Sequence, residues 1–459
     1  MMQLAQAAQA IGAKLIGSDV RFDGISSDSR KITPGDLFIA LRGENFDGYE
    51  FIDQAAQGGA VAALVNQKTA GGRQQAFKPG LTCLPVIEVA DTRLALGKLA
   101  AYWRQQFDVQ LVAITGSNGK TTVKEMLVSI LRETVGSNAL LATKGNLNND
   151  IGMPLTLLQL NKSHCYAVIE MGMNHPGEID YLTRIANPQV ALINNATSAH
   201  LAGLGSVQAI AQAKGEIFAG LVEQGTAIIN MDDQYASLWQ ALAGTHKTIG
   251  FSLDGPADVC GKWRAHGYGL SLDVTTGQGK FAANLQVPGE HNARNALAAI
   301  ATAIALDVPL KDIVPGLEKF SGVAGRMQRK TALQGAILID DTYNANPASL
   351  QAAISVLAQA AGKRVLVLGD MGELGDEAAT LHAEIGAEAR RAGIEKLYAL
   401  GAMSRNAVRA FGSNGRHFVH LEELLRALDE DLDSNSTVLV KGSRFMKMER
   451  VVQHCIQGG

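Results

Sequence analysis

Aromatic side chains are scarce in this sequence. Phe, Trp and Tyr supply 5% of 459 residues, too few stacking rings for a platform that holds single-stranded nucleic acid. An excess of one charge sign is missing as well: 41 Lys and Arg nearly cancel 44 Asp and Glu, leaving a formal net charge of −3. No global field therefore draws in a polyanion or an acidic membrane, and any anion must be caught by a local site. The cysteines Cys83, Cys165, Cys260 and Cys455 are too few for a disulfide scaffold and too far apart for a zinc knuckle or a CxxC pair, which predicts reduced thiols. Long hydrophobic runs are absent too. The longest uncharged apolar stretch, Ala296 to Leu306, is about half of what spans a bilayer, and the first residues lack the basic start and compact apolar segment of a signal peptide. A cytoplasmic protein without a membrane span is expected.

Proline is rare, 11 residues against 49 glycines, and the glycines often follow short β-branched runs directly, as where strands feed turns and phosphate loops in α/β proteins. The length allows two to four domains at about 100 to 200 residues each. The pattern predicts an α/β chain of three modules: a small N-terminal α/β domain over residues 1–85, a central P-loop-type domain with a mainly parallel sheet over 86–316, and a C-terminal Rossmann-like domain over 317–459. Within them, Leu4, Ile11 and Leu15 predict an amphipathic first helix, residues 69 to 85 an irregular exit, and 246 to 287 a small antiparallel excursion. Alternating apolar runs and helical segments elsewhere predict βαβ units, whose ligands lie beyond the carboxyl ends of the strands.

The strongest local signal is LVAITGSNGKTTVKEML, residues 111 to 127. A strand runs into Gly116, Ser117, Asn118, Gly119, Lys120, Thr121 and Thr122, and a helix follows. Glycines let backbone N–H groups converge on phosphate oxygens, the helix start adds partial positive charge, Lys120 neutralises phosphate, and the Thr121 hydroxyl suits Mg²⁺. Only two residues separate Gly116 from Gly119, against four in the general P-loop, so a tighter variant is required. The plainer alternative is a Gly-rich turn with a solvated lysine.

Other candidates lie near strand ends. Glu170 closes the run AVIE, where a carboxylate beside a phosphate loop is placed for a hard cation. A helix-capping or ion-paired acid is its alternative. His200 is weaker, because imidazole is an uncommon Mg²⁺ ligand. Lys214 shares one helical face with Ile210, Ile217, Phe218 and Leu221, which puts a cation on an apolar stripe. Periodicity alone favours a snorkelling lysine; a carbamylated one would be an anionic oxygen ligand.

TGSNGKTT, GNLNNDIGMPLTLL, VIEMGMNHPGEI, TSAHLAGLGS, AKGEIF, PGEHNARNALAA, GRMQ, LIDDTYNANPASL, VLGDMGELG and VLVKGSR, taken in order over essentially the whole chain, resemble the Mur ligases. Within that family they are most similar to the branch that adds a dipeptide. The resemblance implies an ATP-dependent amide ligase of peptidoglycan precursor synthesis, acting through an acyl phosphate on UDP-N-acetylmuramoyl-tripeptide and D-alanyl-D-alanine. It also implies a monomer that needs neither nucleic acid nor a membrane, and two Mg²⁺ ions.

Residue by residue, it implies that Lys120 and Thr121 hold the γ-phosphate and the first metal, that Glu170 shares a metal, that His200 lies beside the second metal, and that Lys214 is carbamylated, which reverses the reading from periodicity. Asn295 would meet adenine, with Asn292 and His291 shaping the same nucleotide-binding loop. Arg326 would reach phosphates, Asp340 or Asp341 the ribose, and Asn149 the nucleotide's neighbourhood. Ser27, Ser29 and Arg30 would hold the UDP-sugar, and Asn344 and Asn346 would orient the acceptor. A sibling ligase adding a single diamino acid, a folylpolyglutamate synthetase and a P-loop switch without ligase chemistry are the competing readings. The segment DDTYNANPASL and the lack of an Asp-Asn-Pro-Arg run favour the dipeptide branch.

Overall fold

The computed structural model describes residues 1–43, 46–70, 73–75, 84–197 and 204–457. Three larger sheets organise them. The first orders Lys14–Ile16, Val86–Val89, Ala62–Asn66, Asp36–Ile39 and Gly24–Ser26, all parallel except the Lys14–Ile16 edge. Val86–Val89 pairs inside this sheet, so the N-terminal unit runs past residue 85. The first helix is shorter than its apolar spacing predicts. Gly12 takes a left-handed conformation (φ 67°) that ends Leu4–Ile11, and Leu15 belongs to the strand that follows, as expected where only glycine turns the chain without a Cβ penalty.

The central sheet has nine strands in the order Leu140–Ala142, Tyr166–Glu170, Gln110–Thr115, Val190–Ile193, Thr226–Asn230, Lys247–Ser252, Val259–His266, Gly269–Thr276 and Gly279–Leu285. Its strands are parallel through Val259–His266, and the last two are antiparallel. The antiparallel excursion is therefore smaller than expected, and it prolongs the main sheet rather than leaving it. Lys247–Ser252 stays parallel because the helix Ala236–Ala243 returns the chain to the same end.

Continuous apolar runs become central strands covered on both faces. Along Gln110–Thr115, Leu111 and Ala113 enter one core, shared with Leu37, Ile39 and Leu64 of the first sheet, while Val112 and Ile114 enter a second beneath the helices Lys120–Val135 and Glu290–Ala305. The N-terminal unit and the central sheet are thus joined by one hydrophobic core.

A helix at Leu310–Lys319 packs on Lys120–Val135, so the central unit extends beyond residue 316. The approach is close: a Cβ at Gly316 would lie 2.4 Å from Ile130 Cα, and Ser129 Oγ donates to the Gly316 carbonyl at 2.6 Å. Since backbone cannot yield as a side chain tip can, Gly316→Ala is expected to lower stability by about 1–3 kcal/mol. Thermal or urea unfolding checks this; an unchanged midpoint would mean that the two helices separate freely.

The third sheet orders Gln328–Thr331, Ile337–Asp341, Ser436–Lys441, Lys363–Gly369, Lys396–Leu400 and Gly415–Phe418, parallel except for its first strand. Helices cover both of its faces. Among the described residues, no helix is long and apolar enough to cross a membrane.

Candidate functional site

The strand Gln110–Thr115 delivers the loop 116–119 to the start of the helix Lys120–Val135, at the carboxyl edge of the central sheet. Gly119 holds a left-handed backbone (φ +79°), and a Cβ there would lie 2.4 Å from Asn295 Oδ1 and 2.5 Å from Asn194 Nδ2. Only glycine meets both requirements. A cavity of about 1030 Å³ opens over the loop, lined from one side by Ser117 to Thr122, Asn148, Glu170, Asn194 and Asn295 and from the other by Arg326, Asp341, Asn344, Asn346 and Lys441. The central and third sheets thus share one site.

Lys120 folds back over its own loop, donating to the carbonyls of Gly116 at 2.6 Å and Ser117 at 3.4 Å. Burial lowers its pKa; nearby Glu170 opposes that shift and Arg326 adds to it. Thr121 Oγ1 donates to Glu170 Oε2 at 2.8 Å and accepts from Arg326 Nη2 at 3.0 Å. The arginine stacks over Tyr343, 4.1 Å from the ring centroid, and its buried Nε has no partner among the described residues. A preorganised guanidinium with an unmet donor is built to take an anionic oxygen.

Lys214, on the helix Val207–Gly215, is 2% exposed. Burial, with the Lys120 charge adding to it, pushes its pKa well below the ordinary lysine value. Its amine is thereby held toward the neutral, nucleophilic form. His200 lies outside the described residues.

Two positions differ from expectation. Asn149 is turned to the start of the helix Gly152–Leu157, its Oδ1 accepting from Gly152 N–H at 2.8 Å, whereas its neighbour Asn148 enters the cavity and donates to Glu170 Oε1 at 2.8 Å. Asp340 points away from the cavity, held by Lys330 Nζ and Thr342 Oγ1, each at 2.7 Å. Asp341 takes the cavity side, because successive strand residues face opposite ways. Burial raises the Asp341 pKa, opposed by Lys441, whose Nζ donates to Asp341 Oδ2 at 2.5 Å.

Asn292 and Asn295 are buried together: Asn295 accepts from Asn194 Nδ2 at 2.9 Å and Asn292 donates to the Pro288 carbonyl at 2.7 Å. His291 is pushed down to about 4 by burial and, secondarily, by the Lys441 charge. Asn344 accepts from Lys441 Nζ at 2.9 Å through its carbonyl. Ser27, Ser29 and Arg30 do not line this cavity. Ser29 Oγ donates to Gln54 Oε1 at 2.9 Å, and Asp28 grips the Arg30 guanidinium at 2.9 and 3.0 Å, which holds the Asp28 carboxyl down at about 2.

Asn194 and Asn195, at the end of the strand Val190–Ile193, escaped notice in the sequence. Their side chains meet Asn118, Asn194 Nδ2 reaching its carbonyl at 2.9 Å and Asn195 Oδ1 accepting from its N–H at 2.8 Å. The signal was present as a polar pair ending a buried strand.

For Mg²⁺, Thr121 and Glu170 present two hard oxygens 2.8 Å apart at the loop, leaving the remaining positions to phosphate and water, as that ion prefers. The donor set fits. Among the described residues, no cluster of three or more His, Cys, Asp or Glu side chains gathers into a metal centre, so the protein supplies part of a coordination shell rather than a cage.

Family models match the chain in three successive segments: the Mur ligase family catalytic domain at residues 21–104, the Mur ligase middle domain at 114–303, and the Mur ligase glutamate ligase domain at 325–444. The chain is 42% identical over 460 residues to the UDP-N-acetylmuramoyl-tripeptide–D-alanyl-D-alanine ligase of Escherichia coli (strain K12), covering 99% of this chain and 98% of the other. Its fold is similar to MurF from Acinetobacter baumannii, with a TM-score of 0.89, 37% identity and 98% of each chain covered. It is also similar to the MurF ligase from Thermotoga maritima in complex with ADP, with a TM-score of 0.80, 28% identity, and 94% and 96% of the two chains covered. With the phosphate loop, its carboxylate and an arginine from the third sheet brought to one cavity, and near-complete coverage by these relatives, the chain belongs to the Mur ligase family.

Proposed function

We propose that this chain is an ATP-dependent ligase that joins D-alanyl-D-alanine to UDP-N-acetylmuramoyl-tripeptide in peptidoglycan precursor synthesis. The observation that carries the reading is the shared cavity, in which Arg326 of the third unit reaches Thr121 of the phosphate loop with an unmet donor to spare. The relatives' printed names supply the substrates, and the ADP held by the Thermotoga ligase supports nucleotide use.

A carboxylate is a poor electrophile at neutral pH, so one tripeptide oxygen first attacks the γ-phosphorus of ATP and ADP departs. The dipeptide amine then attacks the acyl carbon, phosphate leaves, and the ammonium proton passes to solvent. In this reading Lys120 and Arg326 offset the charge that gathers on the transferring phosphoryl group, where preorganised donors are worth most. Bound Mg²⁺, two ions in this reading, would contribute Lewis-acid neutralisation of the phosphate oxygens. Thr121 and Glu170 would hold one ion, and Lys214, carbamylated by CO₂ with release of a proton, would offer oxygens to the second with His200 nearby.

Asn292 and Asn295 shape the nucleotide wall, with Asp341 rather than Asp340 facing the ribose. Ser27, Ser29 and Arg30 receive the UDP-sugar, and Asn344 lies toward the acceptor. The test is phosphate release from ATP and Mg²⁺ by the purified chain, omitting each substrate in turn. Release that needs both the tripeptide and D-alanyl-D-alanine is the expected result. Turnover with neither would favour a nucleotide switch, and turnover only with a UDP-sugar dipeptide and a free diamino acid would favour the sibling ligase.

A further inference from the structure

Asn346 carries two hydrogen-bonding duties at once. It caps the helix Pro347–Ala358, its Oδ1 accepting from Ser349 N–H at 2.9 Å while Ser349 Oγ accepts from the Asn346 N–H at 3.0 Å. The same side chain leaves the third unit: its Nδ2 donates to Asn118 Oδ1 in the phosphate loop at 2.8 Å. Asn118 in turn donates through Nδ2 to Thr197 Oγ1 at 3.0 Å, and its N–H is received by Asn195.

The direction of this chain is forced. A backbone N–H can only donate, so Ser349 fixes the Asn346 oxygen toward the helix and its NH₂ toward Asn118; that fixes the Asn118 oxygen toward Asn346 and its NH₂ toward Thr197. Thr197 is locked to the loop a second time, its N–H donating to Ser117 Oγ at 2.9 Å and its carbonyl accepting from the same hydroxyl at 3.2 Å. A single polar line therefore runs from a helix cap in the third unit, through the phosphate loop, to the segment that follows the strand Val190–Ile193.

We propose that Asn346 is a positioning residue that ties the docking of the third unit to the geometry of the phosphate loop. Its amide aligns Asn118 and Thr197 only while the third unit sits against the central one. The phosphate loop is then ordered for transfer when Arg326 is also in reach, and premature ATP hydrolysis in an undocked arrangement is disfavoured. This rests on the ligase reading above, and it moves Asn346 from direct contact with the acceptor to the interface between the two units.

The helix cap and the bridge can be separated by substitution. Serine is as good a cap as asparagine but is too short to reach Asn118, and aspartate also caps but turns an acceptor toward the Asn118 oxygen. For Asn346→Ser, kcat is expected to fall about tenfold, the worth of one lost hydrogen bond between aligned groups, with the melting temperature unchanged; Asn346→Asp should fall further. Asn118→Ala loses the same link, so Asn118→Ala with Asn346→Ser should be no worse than Asn118→Ala alone.

Small-angle scattering with a non-hydrolysable ATP analogue, Mg²⁺ and UDP-sugar tripeptide supplies a readout independent of turnover: Asn346→Ser should compact less than the parent chain. Parental kcat and compaction in Asn346→Ser, or losses that multiply in the double variant, would overturn the proposal. A parent chain that compacts yet releases no phosphate with both substrates would instead overturn the ligase reading. Parental kcat and melting temperature in both Asn346→Ser and Asn346→Asp, with stability lost only in Asn346→Ala, would reduce Asn346 to a helix cap.

Discussion

Lys120→Met is expected to lower kcat/KM for ATP roughly 10³-fold, the scale on which a preorganised donor to developing charge contributes, while the protein remains at least as stable as its parent. The two halves of this expectation have one cause. The Lys120 side chain is half-buried, its hydrogen bonds go to two carbonyls of the loop, and among the described residues no carboxylate bonds it directly. Such a group costs stability until phosphate arrives, and methionine fills similar volume without the charge.

Linkage adds a sign that can be tested. Because the folded-state pKa is lowered, the unfolded chain binds the proton more tightly, so the destabilisation is fully present below the folded pKa and fades as pH rises toward the ordinary lysine value. The stability gap between Lys120→Met and the parent should therefore narrow in alkali. Equal turnover in variant and parent, measured as phosphate release, would remove Lys120 from the chemistry.

Lys214→Ala should be nearly as damaging to ligation, by about 10²-fold or more if it removes an oxygen donor to a metal that neutralises phosphate, and short carboxylic acids should restore part of the activity. The reasoning begins with packing. Lys214 is buried, as are Ile210, Ile217 and Phe218 in the same segment, and the Lys120 charge further disfavours a second cation there. A neutral amine can add CO₂, R–NH₂ + CO₂ giving R–NHCOO⁻ and a proton, which exchanges a repelled cation for an anion attracted to Lys120 and to a metal.

Carbon-13 NMR of the parent chain under labelled CO₂ should show a carbamate resonance that is absent from Lys214→Ala. Full activity of the variant, or no such resonance in an active parent, would leave Lys214 a buried, unmodified amine; its 2% exposure already excludes the snorkelling that periodicity alone favoured. Lys214→Met, which keeps the apolar packing, should be inactive but folded and separates chemistry from stability.

What the sequence determined by itself was local and contiguous. The strand, the Gly116–Thr122 loop and the helix that receives it are consecutive, so residue order dictates both the backbone path and the group that faces phosphate. For Lys214 the apolar surroundings were legible but the single helical face was not: the helix Val207–Gly215 carries Ile210 and Lys214, while Ile217 and Phe218 lie in the tighter 3-10 turn Glu216–Gly220 that follows. Local order also suggested the βαβ alternation of the second and third sheets, and the family motifs extended that reading over the whole chain.

Only the tertiary structure decided between near-equals and between distant residues. Asp341 rather than Asp340 faces the cavity because the strand Ile337–Asp341 alternates its side chains, and its phase is set by pairing with Ser436–Lys441 about 100 residues later. Asn148 rather than Asn149 meets Glu170 because Asn149 is consumed by a helix start. Lys247–Ser252 joined the parallel set although its own alternation suited either direction. The meeting of Arg326 with Thr121, and of Asn346 with Asn118, spans more than 200 residues; such contacts depend on how two separately folded sheets dock, which is settled by the shape of buried surfaces and not by any spacing along the chain.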